Sequence, residues 1–281
     1  MNQSSIHKQE TLEELFLKLC IEVKEKIPQD QKNKRKKVIV ISGPTGVGKS
    51  EMAMQLADKI GGEIISCDSM QIYRGMNIGT AKPPLEDQLN IPHHLIDICD
   101  LNEEFNVVSF YKEALFACQK VHERDNIPIL VGGSGFYIHT FLYGPPSGPP
   151  PNKALREKLE KEMDKEGPEV MYQRLKCFDP EYAATITIHD RHKIVRAMEI
   201  IEQTHKKVSD ISWKKKNRPL KFDFRCWFFN RPRESLYHRI NKRCDKMVKR
   251  GLLQEINLLK KQGLLENRLA RQSIGYKQGL S

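Results

Sequence analysis

The chain has 281 residues, 39% of them hydrophobic and 30% charged, a balance that fits a globular protein of one or two domains and excludes a disordered or fibrous one. No apolar run approaches the roughly 18 residues of a membrane span. The start, MNQSSIHKQETLEELF, lacks the basic and apolar regions of a secretory signal, so a cytoplasmic location is expected. Net charge is +11, and it is unevenly spread. Residues 1–144 hold 16 Lys+Arg against 19 Asp+Glu, net −3, whereas residues 145–281 hold 31 against 17, net +14. That segregation points to a second half that meets a polyanion.

Residues 11–27 carry Leu12, Leu15, Phe16, Leu19 and Val23 at helical spacing, and the polar stretch from Pro28 to Lys37 reads as a basic linker, making 1–37 an N-terminal appendage. The period then changes. VIVIS (38–42), EIISC (63–67) and IPILVGG (127–133) are short runs of the kind expected for strands buried on both faces. Helices are predicted over Lys49 to Ile60 and Val107 to Asp125. This alternation is the syntax of a mostly parallel sheet covered by helices. GPPSGPPP (144–151) can be neither helix nor central strand and marks a hinge. Residues 152–207 read as short helices divided by Pro168 and Pro180, followed by the basic run WKKKNRPLK (213–221). FRCWFF (224–229) is a strand returning to the sheet, and Glu234 to Gln262 is helical. The predicted layout is an α/β core over 38–144 and 221–281, interrupted by a helical insertion over 145–220. Seven scattered cysteines without a CxxC argue for reduced thiols, mostly in the core, and against a zinc ribbon or disulfide scaffold. A monomer is expected, since no coiled-coil seam or large apolar face is legible.

The strongest motif is Gly43-Pro44-Thr45-Gly46-Val47-Gly48-Lys49-Ser50, a complete GxxxxGK[ST] lying between a predicted strand and a predicted helix. Its glycines permit a tight loop with inward N–H groups. Lys49 and the helix N-terminus add positive charge, and the Ser50 hydroxyl suits Mg²⁺. The loop binds phosphates, but it does not distinguish a nucleotide from a diphosphate ester. An acidic metal-binding strand typical of P-loop kinases is hard to find; Asp97 in LIDIC is a weak candidate. Asp68 follows the second strand directly, so it faces the crevice at the carboxyl ends of the strands, where a carboxylate serves as general base, metal ligand or turn cap.

GPTGVGKS, DSMQIYRGMNIGTAKP, PHHLIDI and LVGGSGFYI, in that order, resemble the tRNA dimethylallyltransferase (isopentenyl-tRNA transferase) family, with the likeness running from about Val38 to Tyr276. The resemblance implies a P-loop NTPase-like α/β core with an inserted all-helical domain that grips the anticodon stem-loop. It further implies transfer of a dimethylallyl group from dimethylallyl diphosphate to N6 of the adenine 3′ to the anticodon, with Mg²⁺ as cofactor. On that basis Asp68 is the base, Ser69, Met70 and Gln71 adjoin it as tRNA contacts, and Thr45 to Ser50 hold the diphosphate. Ser134, where the family often has Thr, contributes a hydroxyl near the pyrophosphate or target nucleotide. Arg243 faces the pyrophosphate, with Arg239 as a second choice. Arg156, the segment His192, Lys193, Ile194, Val195 and Arg196, and Arg271 in RQSIGY are implied tRNA contacts. The pair His189/His192, with no third ligand in sequence, reads as nucleic-acid contact or surface and not a metal site, and His93/His94 reads as a structural pair in a loop and not a catalytic one. The chain ends at Ser281, where the family generally continues with a basic helix, and no zinc-finger pattern of the eukaryotic kind follows, an expectation of a bacterial-type member. The competing readings are an adenylate dimethylallyltransferase, a small-nucleotide P-loop kinase and an RNA-binding ATPase; the basic half and the helical insertion favour tRNA.

Overall fold

A computed structural model describes residues 16–21, 35–211 and 222–280. Two compact units emerge, one of Met1–Gly144 with Arg218–Ser281 and one of Pro145–Asn217.

The first unit is built on a five-stranded parallel sheet in the order β3-β2-β4-β1-β5, with β1 Lys36–Ser42, β2 Gly62–Ser66, β3 His93–His94, β4 Ile127–Gly132 and β5 Phe222–Phe228. Strand β1 shows why its sequence is an unbroken apolar run. Val38 and Val40 pack on one face with Ile65, Leu130 and residues of α3 (Val107–Glu123) and α4 (Gly135–Tyr143). Ile39 and Ile41 pack on the other with Ile64, Ile129 and Ala53, Leu56 and Ala57 of α1 (Lys49–Ile60). Burial on this scale contributes about 1.5–3 kcal/mol for each large aliphatic side chain. Asn106 starts α3 by accepting from the amides of Val108 and Ser109 at 2.9 and 3.1 Å.

The predicted strands and the helices at 49–60 and 107–123 form where the pattern puts them. Three expectations need correction. The linker reading fails at its end, because Lys36 and Lys37 already pair with Phe222 and Asp223 in the ladder. LIDIC is not a strand: the chain leaves the sheet after His94 and turns through Leu95 and Asp97 with positive φ. The helix at 234–262 is two, α9 (Arg233–Lys249) and α10 (Leu252–Lys260), because Gly251 adopts φ 97°, a left-handed conformation that ends a helix. Short helices α2 (Leu85–Asn90) and α11 (Tyr276–Leu280) complete the unit. The N-terminal helix is described only at 16–21, where Cys20 and Phe16 join the α1 face of the core. The remainder of 1–34 and the basic run 213–221 lie outside the described residues.

The second unit is helical, with α5 Lys153–Glu166, α6 Pro168–Phe178, α7 Pro180–Ala183 and α8 Arg191–Thr204. Pro168 and Pro180 stand in first turns, where the missing N–H costs nothing. Leu159, Met163, Met171, Leu175, Ile194, Met198 and Ile201 form its own core. All seven cysteines are free, four of them buried. No described helix is long and apolar enough to cross a membrane.

Candidate active site

The loop from Gly43 to Gly48 joins β1 to α1, with Gly43, Gly46 and Gly48 all at positive φ. At Gly43 a side chain is excluded twice over: φ is 147°, and a Cβ would stand 2.3 Å from the carbonyl oxygen of Phe229. The loop is thus closed from behind by the chain leaving β5. Lys49 Nζ donates to the carbonyls of Gly43 and Pro44 at 2.8 and 2.9 Å, which holds its charge over the loop. Two further arginines grip the loop from the segment after β5: Arg231 Nε donates to Val47 O at 3.1 Å and Arg239 Nε to Gly46 O at 2.6 Å. The sequence reading ranked Arg239 second and missed Arg231, whose only signal is its place just past a strand end.

Asp68 stands immediately beyond β2. One oxygen, Oδ1, accepts from the amides of Met70 at 2.8 Å and Gln71 at 3.3 Å. The turn-cap and functional readings are therefore compatible, because among the described residues Oδ2 accepts no hydrogen bond. Ser134, at the start of α4, accepts from the Ser69 amide at 3.3 Å, and its own amide donates to Cys67 O at 3.4 Å. These bonds tie the loop after β4 to the loop carrying Asp68. Gln71 is held at both ends of its carboxamide: Ser66 Oγ donates to Oε1 at 2.9 Å, and Nε2 donates to Thr80 O at 3.2 Å. Met70 turns partly into the core with Ile72, Tyr73 and Met76, which leaves Ser69 and Gln71 as the polar members of that segment.

Arg243 reaches the site from α9. By helical spacing alone Leu236, Ile240, Cys244 and Met247 make an apolar stripe beside a basic one of Arg239, Arg243, Lys246 and Arg250. The structure shifts the register: Leu236, Ile240, Arg243 and Met247 are half-buried, as is Ser235, and Cys244 is exposed. An arginine therefore occupies an inward place on the helix. Burial lowers the pKa of its guanidinium while the Asp68 carboxylate raises it. Lys49 feels the same company, its ammonium lowered by burial first and by the Arg243 charge second, with Asp68 opposing both. Lys49, Arg243 and Asp68 thus form one electrostatic group, two cations and a carboxylate, at the carboxyl end of the sheet.

Asp97 is already paired, its Oδ1 lying 2.5 Å from Nζ of the buried Lys82. His94 Nε2 sits 2.6 Å from Glu63, and His93 Nδ1 contacts Ile91 O at 2.7 Å, so both histidines are structural. No group of three or more His, Cys, Asp or Glu able to hold a metal occurs among the described residues. Ser50, exposed in the first turn of α1, offers one hydroxyl. Such a sparse set fits Mg²⁺, which takes one or two protein oxygens and completes its shell with phosphate oxygens and water.

In the helical unit the implied RNA residues divide. Arg191, His192 and Lys193 are exposed. Ile194 and Val195 are buried in that unit's core, so their side chains are withdrawn from any surface contact. Arg156 and Arg196 both pair with the fully buried Glu199, at 2.7 and 2.8 Å, and Arg196 also donates to Pro149 O at 2.6 Å. Their first task is to neutralise that carboxylate. In the α/β unit, Arg271 is exposed and donates to Leu265 O at 3.2 Å.

Comparison with known proteins gives the family. A family model described as IPP transferase matches residues 71–281. The chain is 52% identical over 270 residues to a tRNA dimethylallyltransferase of Protochlamydia amoebophila, covering 96% of this chain and 78% of that protein. It is 49% identical over 245 residues to that of Chlamydia trachomatis serovar D, covering 87% and 78%. Among solved structures, the full-length tRNA isopentenylpyrophosphate transferase of Bacillus halodurans superposes with a TM-score of 0.59 at 36% identity, over 88% of this chain and 77% of that one. A eukaryotic dimethylallyltransferase acting on tRNA gives 0.69 at 36% identity, over 83% and 57%. With the GPTGVGKS loop and the Asp68 carboxylate at the same sheet edge, and matches of this extent, the chain belongs to the IPP transferase family.

Proposed function

We propose that this protein transfers the dimethylallyl group of dimethylallyl diphosphate to N6 of the adenine 3′ to the anticodon of tRNA and releases pyrophosphate. The observation that carries the reading is geometric: the GPTGVGKS loop with Lys49 held over it and Asp68 just past β2 stand at the same end of the sheet, and Arg243 meets the Thr80 carbonyl that also holds Gln71. The adenine amine is a poor nucleophile, because its lone pair is delocalised into the ring. Attack on the allylic carbon forms a C–N bond and breaks the C–O bond to the diphosphate. The nitrogen must then lose a proton, and the pyrophosphate must carry away the electron pair.

Asp68 Oδ2 takes that proton, while Oδ1 keeps its turn. Lys49, Arg243 and the loop amides meet the charge that develops on the departing oxygen. Ser50 would hold a Mg²⁺ ion, which would supply further neutralisation of the diphosphate when bound. Ser134 holds the Asp68 loop against the α4 start and presents its hydroxyl there. Because the base must leave its stack to be reached, the enzyme needs a grip on the RNA strand. The +14 half, with His192, Lys193 and Arg271 on its surface, supports that role.

The test is label transfer from dimethylallyl diphosphate to an anticodon stem-loop, AMP and ATP, assayed separately. Transfer to the stem-loop is expected. Transfer to AMP alone would indicate an adenylate enzyme, and ATP turnover without allyl transfer a kinase or ATPase.

A further inference from the structure

The segment Ile78-Gly79-Thr80-Ala81-Lys82 contributes no side chain to the chemistry above, yet the structure devotes an unusual set of bonds to it. Glu255, on α10 and more than 170 residues away in the chain, puts its carboxylate into a ring of main-chain donors. Oε2 accepts from the amides of Asn77 at 3.1 Å and Ile78 at 2.8 Å, and Oε1 from the amide of Gly79 at 3.2 Å. The Tyr276 hydroxyl donates to Oε1 at 2.6 Å. The ring of Tyr276 lies so close to Gly79 that a Cβ there would fall 2.4 Å from it. Consecutive amides folded around one carboxylate form a stiff anion nest. From the other side, Lys82 Nζ donates to Tyr73 O and Asn77 Oδ1, both at 2.9 Å, and Thr80 Oγ1 donates to Met76 O at 2.6 Å.

This rigid turn presents its carbonyls to the site. The Thr80 carbonyl accepts from Gln71 Nε2 at 3.2 Å and is approached by Arg243 Nη2 at 3.5 Å; Ala81 O takes a second, longer bond from Gln71 at 3.4 Å. One main-chain oxygen therefore touches both the residue beside Asp68 and the guanidinium in the electrostatic group.

We propose that Glu255 is a positioning residue for the transfer reaction, acting through the 77–79 turn and the Thr80 carbonyl on Gln71 and Arg243, with Tyr276 completing the clasp. The inference rests on the reading above for the identity of the reaction, and its test separates the two. Glu255→Gln keeps the shape but turns a carboxamide N–H toward main-chain N–H donors. Displacing catalytic groups by about 1 Å costs on the order of 100-fold, so kcat for stem-loop prenylation should fall about 30- to 100-fold. The affinity for inorganic pyrophosphate, measured by calorimetry, should weaken about tenfold as a charge-assisted contact is lost.

A merely structural residue would impose the same factor in every background. A positioning residue loses its effect once its target is gone. In Gln71→Ala, where only the Arg243 route remains, the added Glu255→Gln should cost clearly less in kcat/KM than it does in wild type, and in Arg243→Ala it should not weaken pyrophosphate further. Equal factors in all backgrounds would overturn the proposal. If Glu255→Gln does not melt cooperatively, Tyr276→Phe, which removes one hydroxyl and keeps the ring on Gly79, goes through the same cycle, with the same pattern expected and the same equality overturning it. A wild-type protein that fails to prenylate RNA while showing the Glu255–Arg243 coupling in pyrophosphate binding would leave the clasp standing and remove the tRNA reading.

Discussion

Asp68 offers the sharpest perturbation, because its two oxygens do separable things. Oδ1 accepts from Met70 N and Gln71 N, at 2.8 and 3.3 Å, and shapes the loop. In the proposed reaction Oδ2 takes the proton. Asp68→Asn preserves the first role, since the amide oxygen accepts the same two bonds, and abolishes the second. General-base catalysis contributes about 10²–10⁴-fold, so kcat should fall by that factor with tRNA affinity unchanged. Asp68→Ala removes both roles. Each main-chain bond lost is worth about 0.5–1.5 kcal/mol, so the Ala variant should show, on top of the same fall in kcat, roughly a tenfold weakening of stem-loop binding as Ser69 and Gln71 lose their frame. Single-turnover prenylation with enzyme in excess gives the chemical step, and filter binding of the stem-loop gives affinity. An Asn variant retaining more than about a tenth of the wild-type chemical rate would refute the assignment of Asp68 as base.

Arg243→Lys keeps a charge but loses the planar fork, and should cut kcat about 10- to 100-fold while leaving RNA affinity unaltered, as read from parallel kinetics and binding. Lys193→Ala should weaken RNA binding and lessen the slope of log K against log salt by about 0.7–0.9; an unchanged slope places Lys193 away from phosphate. Glu199→Ala leaves Arg156 and Arg196 without their buried partner and should destabilise the helical unit by about 3–5 kcal/mol, seen as faster amide exchange confined to 145–211.

Glu63, held by Arg124, Asn126 and His94, has its pKa lowered to about 2 from an ordinary value of 4.5, chiefly by the Arg124 hydrogen bonds working against burial. A depressed carboxylate stabilises the fold above its unfolded pKa and loses that contribution as pH falls through the folded one. Wild type should therefore lose about 3 kcal/mol between about pH 4.5 and pH 2. Glu63→Gln should lack that step in denaturant titrations.

The fold was legible where one physical rule dominated. Val38 to Ser42 can only be a strand buried on both faces, and GPTGVGKS can only be a tight loop before a helix. Pro168 and Pro180 mark helix starts for the same steric reason. Legibility failed where long-range contacts decide. The inward stripe of α9 contains Arg243 and not Cys244, because the helix packs toward the phosphate loop, a preference that helical periodicity cannot report. Ile194 and Val195 look like part of an RNA-contacting segment by resemblance, while their apolar character correctly signals a core. Arg231 and Glu255 meet main-chain atoms of residues 184 and 176–178 positions away, and no local spacing announces such partners.

The backing of the phosphate loop by Phe229 has a consequence for biogenesis. The first glycine motif leaves the ribosome early, but its rear wall, and Arg231 and Arg239 that hold its carbonyls, are translated only after the whole helical unit. Chains halted before residue 222 would carry the fingerprint without its supporting edge strand, exposing one flank of β1 to stray pairing. Competence to hold pyrophosphate should accordingly appear late and abruptly along the growing polypeptide, after the helical unit has had time to condense by itself.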